Sequence, residues 1–129
     1  MDTMLEKGLT HTSTLVVKHE NLAVALGSGD LEVLATPAMM ALMENAAMLA
    51  VKDVLPDGST TVGSQISSTH LKPTAEGKTV TATAILTEVD GRKLTFKVSA
   101  SDENGVIGEG SHVRYIVDAD RFMAKVKRQ

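Results

Sequence analysis

Glu44 is the one ionisable residue in the most apolar stretch of the chain, residues 36–51, which reads T-P-A-M-M-A-L-M-E-N-A-A-M-L-A-V. On a helix, its neighbours one turn away are Met and Ala side chains, so the carboxylate loses hydration and its charged form is disfavoured unless partners compensate. A carboxylate in that setting is a candidate nucleophile or general base. The alternative is a structural Glu that is bonded within the core or reaches solvent at the end of the helix.

A hydroxyl group lies at the start of the same segment. Thr36 precedes Glu44 by eight residues, which is a little over two helical turns, so both side chains lie on roughly the same side. Thr36 followed by Pro37 is also an ordinary pair of N-cap and first helical residue. The two roles are compatible, because the free N–H groups of a helix N-terminus can polarise a carbonyl oxygen.

An imidazole closes the next polar segment. His70 stands near the end of residues 62–71, which carry Ser, Thr, Gln and Gly where a core strand would carry Val or Ile. That composition indicates a polar cleft, and Gly63 within it lets a ligand or another backbone approach closely. Arg114 shares a strand face with His112 and can bind a carboxylate or phosphate, although an exposed charge is the commoner outcome for such a residue.

Metal and cofactor chemistry find little support in the residue pattern. Glu44, His70 and His112 are the residues from which a metal site could be drawn, but no His pair has the spacing of ligands on a helix. The chain has no Cys, which excludes thiolate sites and Cys nucleophiles. It also has no G-x-S-x-G motif, P-loop or dinucleotide fingerprint. We therefore expect no metal and no bound cofactor.

Composition narrows the classes of protein that remain. The 129 residues, 43% of them apolar, fit a single domain over residues 1–129 with a substantial core. Aromatic residues make up 2% and the net charge is −3, which argues against nucleic-acid binding. The N-terminus has no apolar leader, and the longest apolar stretch is too short to span a bilayer. We expect a cytoplasmic protein without a membrane segment.

The elements that must position these residues follow from periodicity. Strands are predicted over residues 10–18, 60–71, 79–87, 94–100 and 106–117, and a short turn of helix over residues 118–127. Residues 36–51 predict a long helix that is apolar nearly all round and must be covered on several sides. Turn signals at Asp57-Gly58, Asp90-Gly91 and Asn104-Gly105 indicate tight hairpins, so the last four strands are expected to form a meander.

A flat sheet cannot cover such a helix, so the sheet has to curl around it. The predicted fold class is therefore α+β, with the hotdog architecture of a curved antiparallel sheet wrapped around one central helix. The open edge of such a sheet is commonly closed by a second copy of the chain. We expect a homodimer, or a tetramer built from it.

The same segments resemble the fluoroacetyl-CoA thioesterase-like branch of the hotdog superfamily over residues 34–127. The likeness rests on T-P-A-M-M-A-L-M-E-N-A-A, V-G-S-Q-I-S-S-T-H, T-V-T-A-T-A-I-L-T-E-V-D-G-R-K-L-T-F-K-V-S-A and G-E-G-S-H-V-R. The resemblance implies a thioesterase acting on acyl-CoA. In it, Thr36, Glu44 and His70 are the catalytic residues, and Gly63 and Arg114 bind the substrate.

Residues 21–35 depart from that family, because the fluoroacetate enzyme has an aromatic-rich lid there and this chain has no aromatic residue. The expected substrate is therefore a broader or different short acyl-CoA.

Two alternative functions stay open. A hotdog hydratase or dehydratase would act on an enoyl or hydroxyacyl thioester, but it typically pairs Asp with His at a spacing not found here. A non-catalytic acyl-CoA-binding module would show saturable binding and no turnover.

Overall fold

The structure is a computed structural model that describes residues 4–129. The first three residues of the expected domain lie outside the described residues. The elements in chain order are β1 (Thr10–Val16), a 3-10 turn (His19–Asn21), α1 (Ala23–Leu26), α2 (Thr36–Lys52), β2 (Ser59–His70), β3 (Thr79–Asp90), β4 (Lys93–Asp102), β5 (Gly105–Asp118) and α3 (Ala119–Lys127). Each predicted strand and helix is present, with bounds shifted by a few residues.

All five strands form one antiparallel sheet in the order β1-β3-β4-β5-β2. The prediction of a four-strand meander is therefore wrong for β2, which pairs with β5 at the sheet edge and not with β3. The physical reason is the connection at residues 71–78, which contains Pro73 and is too long for a tight hairpin between β2 and β3. This connection is anchored elsewhere, since Leu34 N–H donates to the Thr74 carbonyl at 2.8 Å and Thr74 Oγ1 donates to Asp102 Oδ2 at 2.7 Å.

The Gly-containing turns behave as expected at two of three positions. Gly91 (φ 62°) and Gly105 (φ 115°) lie in the turns that join β3 to β4 and β4 to β5. Their left-handed backbone is readily adopted by Gly and disfavoured for other residues. Gly58 (φ 83°) is also left-handed, but it connects α2 to β2 and closes no hairpin.

Helix α2 packs on the inner face of the sheet, and this layer forms the core. The alternation predicted for β3 and β4 is confirmed, because every residue of the inward set is at most 1% exposed. These residues are Val80, Ala82, Ala84, Leu86, Leu94, Phe96, Val98 and Ala100. Burying a large side chain of this kind stabilises the fold by about 1.5–3 kcal/mol.

One side of α2 is covered by its own sheet, and the other is not. The residues of α2 that are fully buried are Met39, Met43, Ala46, Ala47 and Val51. Ala41 and Asn45 are exposed and Leu42 is half-buried, so the expected cover on several sides is not complete within a single chain. Asn45 Oδ1 accepts a hydrogen bond from Ser13 Oγ at 2.7 Å, which links α2 to β1. Among residues 4–129, no helix is long and apolar enough to cross a membrane.

Candidate active site

The first group of candidate residues joins the N-terminus of α2 to the end of β2. Thr36 Oγ1 and His70 Nδ1 are 2.8 Å apart and hydrogen-bonded, and the tautomer of His70 decides which of them donates. The N-cap prediction for Thr36 is wrong. Ala35 is the N-cap, no side chain caps this terminus, and the Thr36 hydroxyl is directed at His70. The local cause is that Thr36 is already the first residue of the helix.

His70 keeps one polar atom unused. Its Nε2 is buried and has no hydrogen-bond partner among residues 4–129. Burial lowers the pKa of His70 from 6.5, partly offset by a backbone hydrogen bond at Lys72. The ring is therefore neutral at pH 7, and Nε2 is available to a bound ligand.

The second group surrounds Glu44 in the middle of α2. A Cβ atom placed on Gly63 would lie 2.9 Å from Glu44 Oε2, so β2 approaches the carboxylate as closely as it does because residue 63 has no side chain. The close approach expected at Gly63 thus involves a carboxylate of the same chain. Glu44 makes no ion pair within the described chain, where the ion pair found is between Lys78 and Glu103.

Arg114 belongs to this second group and is buried. Its side chain is 7% exposed, so the alternative of an exposed charge is wrong. Arg114 Nε donates to Thr61 Oγ1 at 2.8 Å, Nη2 donates to the Thr61 carbonyl at 2.9 Å, and Nη1 donates to His112 Nε2 at 3.2 Å. The guanidinium therefore satisfies most of its requirement for partners inside the protein.

Sequence reasoning missed the role of three residues here. His112 is 1% exposed and Thr61 5% exposed, and the Gln65 carbonyl accepts from His112 Nδ1 at 2.7 Å. The available signal was that His112 and Arg114 share one face of β5. Alternation does not reveal that this face is the buried one, because polar residues on a strand are normally exposed.

The structure does not bring the three predicted catalytic residues together within one chain. Thr36 and Glu44 are separated by about 12 Å along the helix axis, at about 1.5 Å per residue. No hydrogen bond within residues 4–129 joins the Thr36–His70 pair to Glu44. One chain therefore presents two half-sites, one beside Gly63 within β2 and one at the C-terminal end of β2.

A cavity of about 490 Å³ opens beside the first half-site. Its wall includes Thr36, His70 and the aliphatic side chains of Val33, Leu34 and Leu71. The aromatic-free residues 21–35 thus line a cavity next to the Thr36–His70 pair, and no Phe, Tyr or Trp contributes to its wall.

Comparisons with known proteins show the family of this chain. The profile of the fluoroacetyl-CoA-specific thioesterase family matches residues 17–120. The chain is 42% identical to a fluoroacetyl-CoA thioesterase from Streptantibioticus cattleyicolor over 98 residues, which are 76% of this chain and 70% of that one.

Solved structures give the same result. The fluoroacetyl-CoA thioesterase FlK superposes with a TM-score of 0.91 at 34% identity, covering 98% of each chain. A thioesterase superfamily member from Thermus thermophilus superposes with a TM-score of 0.87 at 26% identity, over 95% of this chain and 91% of that chain. A hot-dog-like protein from Thermanaerovibrio acidaminovorans, 23% identical with a TM-score of 0.85 over 95% and 90% of the two chains, shares the fold. The predicted hotdog fold is confirmed.

Proposed function

Because this chain belongs to the fluoroacetyl-CoA-specific thioesterase family, whose members are thioester hydrolases, we propose that it hydrolyses a short acyl-CoA thioester to the free acid and coenzyme A. The observation that carries this proposal is the position of Glu44. Its carboxylate lies against Gly63 at an exposed part of β2 and forms no ion pair with the described residues. A carboxylate held in this way, without a structural partner, is available for catalysis.

Glu44 acts on the thioester carbonyl in one of two ways. It attacks the carbonyl carbon to form an anhydride that water then cleaves, or it removes a proton from the attacking water. Either route breaks the carbon–sulfur bond, and the thiolate leaves as coenzyme A after taking up a proton. Labelled oxygen in a single turnover separates the routes, because only the anhydride route can place solvent oxygen in Glu44.

The remaining predicted residues assist this reaction. His70 orients the reacting groups and assists proton transfer through Nε2, the buried atom without a partner. Thr36 fixes the His70 ring through its bond to Nδ1. Gly63 supplies one of the backbone N–H groups that stabilise the oxyanion. Removal of one such donor typically lowers the rate about 10²–10³-fold.

A homodimer completes the site in this proposal. Gly63 and His70 lie at equal distances on either side of the Ile66–Ser67 peptide, and β2 is an edge strand. A two-fold axis between antiparallel strands relates a residue to its own copy, so pairing of two β2 strands at Ser67 would place Gly63 of one copy within one residue of His70 of the other. Each Glu44 half-site would then face the Thr36–His70 half-site of the second copy.

The acyl group in this proposal is short, aliphatic and not restricted to fluoroacetyl. The support is the cavity of about 490 Å³ beside Thr36 and His70, whose wall is mostly apolar, also includes Ser28 and Lys72, and has no Phe, Tyr or Trp among its described residues. The cavity is large for a two-carbon acyl group, so acyl chains up to hexanoyl are included among the expected substrates.

The test is thiol release from acetyl- through hexanoyl-CoA and from fluoroacetyl-CoA, with Glu44→Gln alongside and Glu88→Gln, an exposed position on β3, as the matched control. Glu44→Gln is expected to lower kcat by about 10²–10⁴-fold with the fold intact, and Glu88→Gln to leave it unchanged. Near-normal hydrolysis by Glu44→Gln would show that Glu44 is not the catalytic carboxylate.

The same assays separate the two alternative functions. Thermal stabilisation by acyl-CoA without thiol release would indicate a binding module. An absorbance change on crotonyl-CoA without thiol release would indicate a hydratase.

A further inference from the structure

A β-bulge lies in β2 beside Glu44, and the catalytic roles above do not account for how it is held. The register against β5 shifts between Gly63 and Gln65, so Ser64 is the extra residue of the bulge. Such irregularities bend a strand and re-aim its groups, and they need support because the ladder is locally interrupted. The support here comes from two side chains of β5.

Arg114 secures the bulge on its N-terminal side. Its guanidinium donates both to the hydroxyl and to the carbonyl of Thr61, at 2.8 and 2.9 Å. A planar fork that reaches two acceptors of one residue fixes the direction of that residue's backbone, which a Lys ammonium cannot do in the same way.

His112 secures the bulge on its C-terminal side. Its Nδ1–H donates to the Gln65 carbonyl at 2.7 Å, and its Nε2 accepts from Arg114 Nη1 at 3.2 Å. This pattern needs a neutral ring with its proton on Nδ1. Burial is the main cause that lowers the pKa of His112, and the Arg114 charge adds to it, against the opposing effects of the hydrogen bond to the Gln65 carbonyl and of Glu44.

We propose that Arg114 and His112 are positioning residues that clamp the bulge of β2 from both sides and so hold Gly63 against the Glu44 carboxylate. The inference rests on the proposed function of Glu44 and revises the expected role of Arg114 as a substrate-binding residue. Thr61, Arg114, His112 and Gln65 form one connected network, which we call the bulge clamp. Its two ends are the Thr61 and Gln65 carbonyls, on either side of Gly63.

The burial of the network argues against direct contact with substrate. Arg114 is 7% and His112 1% exposed, and three N–H groups of Arg114 are already bonded to Thr61 and His112. Glu44 Oε2, His112 Cε1 and Arg114 Nη1 all lie within 3.4 Å of the point where a Cβ of Gly63 would be. The clamp therefore also holds the Arg114 charge near the Glu44 carboxylate, and the two groups do not form an ion pair.

Steady-state kinetics of four variants test the clamp. Arg114→Lys keeps the charge and loses the fork, Thr61→Val loses the hydroxyl acceptor, Thr61→Ser retains it, and Arg92→Lys is the exposed control. We expect kcat to fall about 10-fold or more in Arg114→Lys and Thr61→Val, which corresponds to about 1.4 kcal/mol of barrier per factor of ten. KM and the inhibition constant of coenzyme A should stay within about twofold, and Thr61→Ser and Arg92→Lys should match the wild type.

A raised KM and a raised inhibition constant in Arg114→Lys, with kcat unchanged, would show that Arg114 contacts substrate and would overturn the proposal. If Arg114→Lys does not fold, the comparison of Thr61→Val with Thr61→Ser decides alone. Amide hydrogen exchange provides a readout that does not need activity. Exchange over residues 61–66 should accelerate in Thr61→Val and not in Thr61→Ser. Wild-type protein that releases no thiol would contradict the proposed function alone, whereas unchanged exchange in Thr61→Val would contradict the clamp.

Discussion

At the scale of single residues, the space at Gly63 is as important as any side chain nearby. An Ala there would put its Cβ 2.9 Å from Glu44 Oε2 and 3.2 Å from His112 Cε1. His112 is held at both ring nitrogens, so the flexible carboxylate is the group that must move.

Gly63→Ala should therefore lower activity far more than stability. A displacement of about 1 Å at a reacting group can cost about 10²-fold in rate, and we expect a kcat loss of that order with a melting temperature close to that of the wild type. Thiol-release kinetics and thermal unfolding measure the two effects. A large loss of stability with normal kcat would show that Gly63 serves packing instead.

Two imidazoles, the buried His112 and the half-buried His70, link stability to pH. Burial lowers the pKa of both His70 and His112 from 6.5, so below about pH 6.5 the unfolded chain binds protons that the folded chain does not. The free energy of unfolding should therefore fall as the pH decreases from about 6.5 through the lowered folded-state pKa values. Above about pH 6.5 these two residues should not reduce it. Urea unfolding at pH 7.5 and 5.5 measures this difference. His112→Gln should reduce it, while His19→Gln, at an exposed position, should leave it unchanged.

The candidate site could be predicted from sequence where a residue type contrasts with its surroundings. Glu44 stands out in an apolar helix and Gly63 in a polar strand, and the structure places them in contact. The bulge clamp could not be predicted in this way. His112 and Arg114 are polar residues on a strand, and their burial depends on acceptors that β2 supplies from about fifty positions earlier in the chain.

At the scale of elements, the N-terminus of α2 has no side-chain cap although a Thr lies in its first turn. Thr36 lies inside the helix, and its hydroxyl is bonded to His70 and caps nothing. Loss of a true N-cap costs about 0.5–2 kcal/mol, and that cost should be absent here.

We therefore expect Thr36→Ala to change the free energy of unfolding by no more than about 0.5 kcal/mol, as for ordinary surface changes, and to lower kcat by an order of magnitude or more. Thr36→Ser should retain most activity because it keeps the hydroxyl. Chemical unfolding and thiol release on the same samples make the comparison. A stability loss in the N-cap range for Thr36→Ala would restore the capping role.

Local sequence patterns predicted each helix and strand, but they predicted only part of the strand order. Alternation identified β3 and β4 because both pack one face on α2, and two-residue turns fixed their pairing with each other and with β5. The edge position of β2 depends on the anchoring of residues 71–78 at Leu34 and Asp102. Contacts of that kind between distant segments leave no periodic signal in a sequence.

At the scale of the whole molecule, the two edges of the sheet are not equivalent in the proposed assembly. The edge formed by β2 carries both half-sites, whereas the edge formed by β1 carries neither. Pairing through β2 would bring the Ser67 side chains of two copies close to one another, next to the proposed two-fold axis.

Ser67→Glu should therefore dissociate the dimer, because like charges opposite each other on paired strands repel. Light scattering coupled to gel filtration should show a single-chain mass, and thiol release should fall together with the dimer fraction. Thr14→Glu, exposed on β1, is the matched control and should leave mass and activity unchanged. Dissociation by Thr14→Glu and not by Ser67→Glu would place the interface at the β1 edge and contradict pairing through β2.

The strand order also determines how long α2 lacks its cover while the protein is being made. The helix packs mainly on β1 and β3, with smaller contacts to β2 and β4, and only β1 is synthesised before it. At about 5–20 residues per second, the fifty residues from the end of α2 to the end of β4 take about 3–10 seconds to emerge. Throughout that interval the Met- and Ala-rich face of the helix has no completed sheet to bury it. We therefore expect the nascent chain to be most prone to aggregation before β3 and β4 have joined β1 in the sheet.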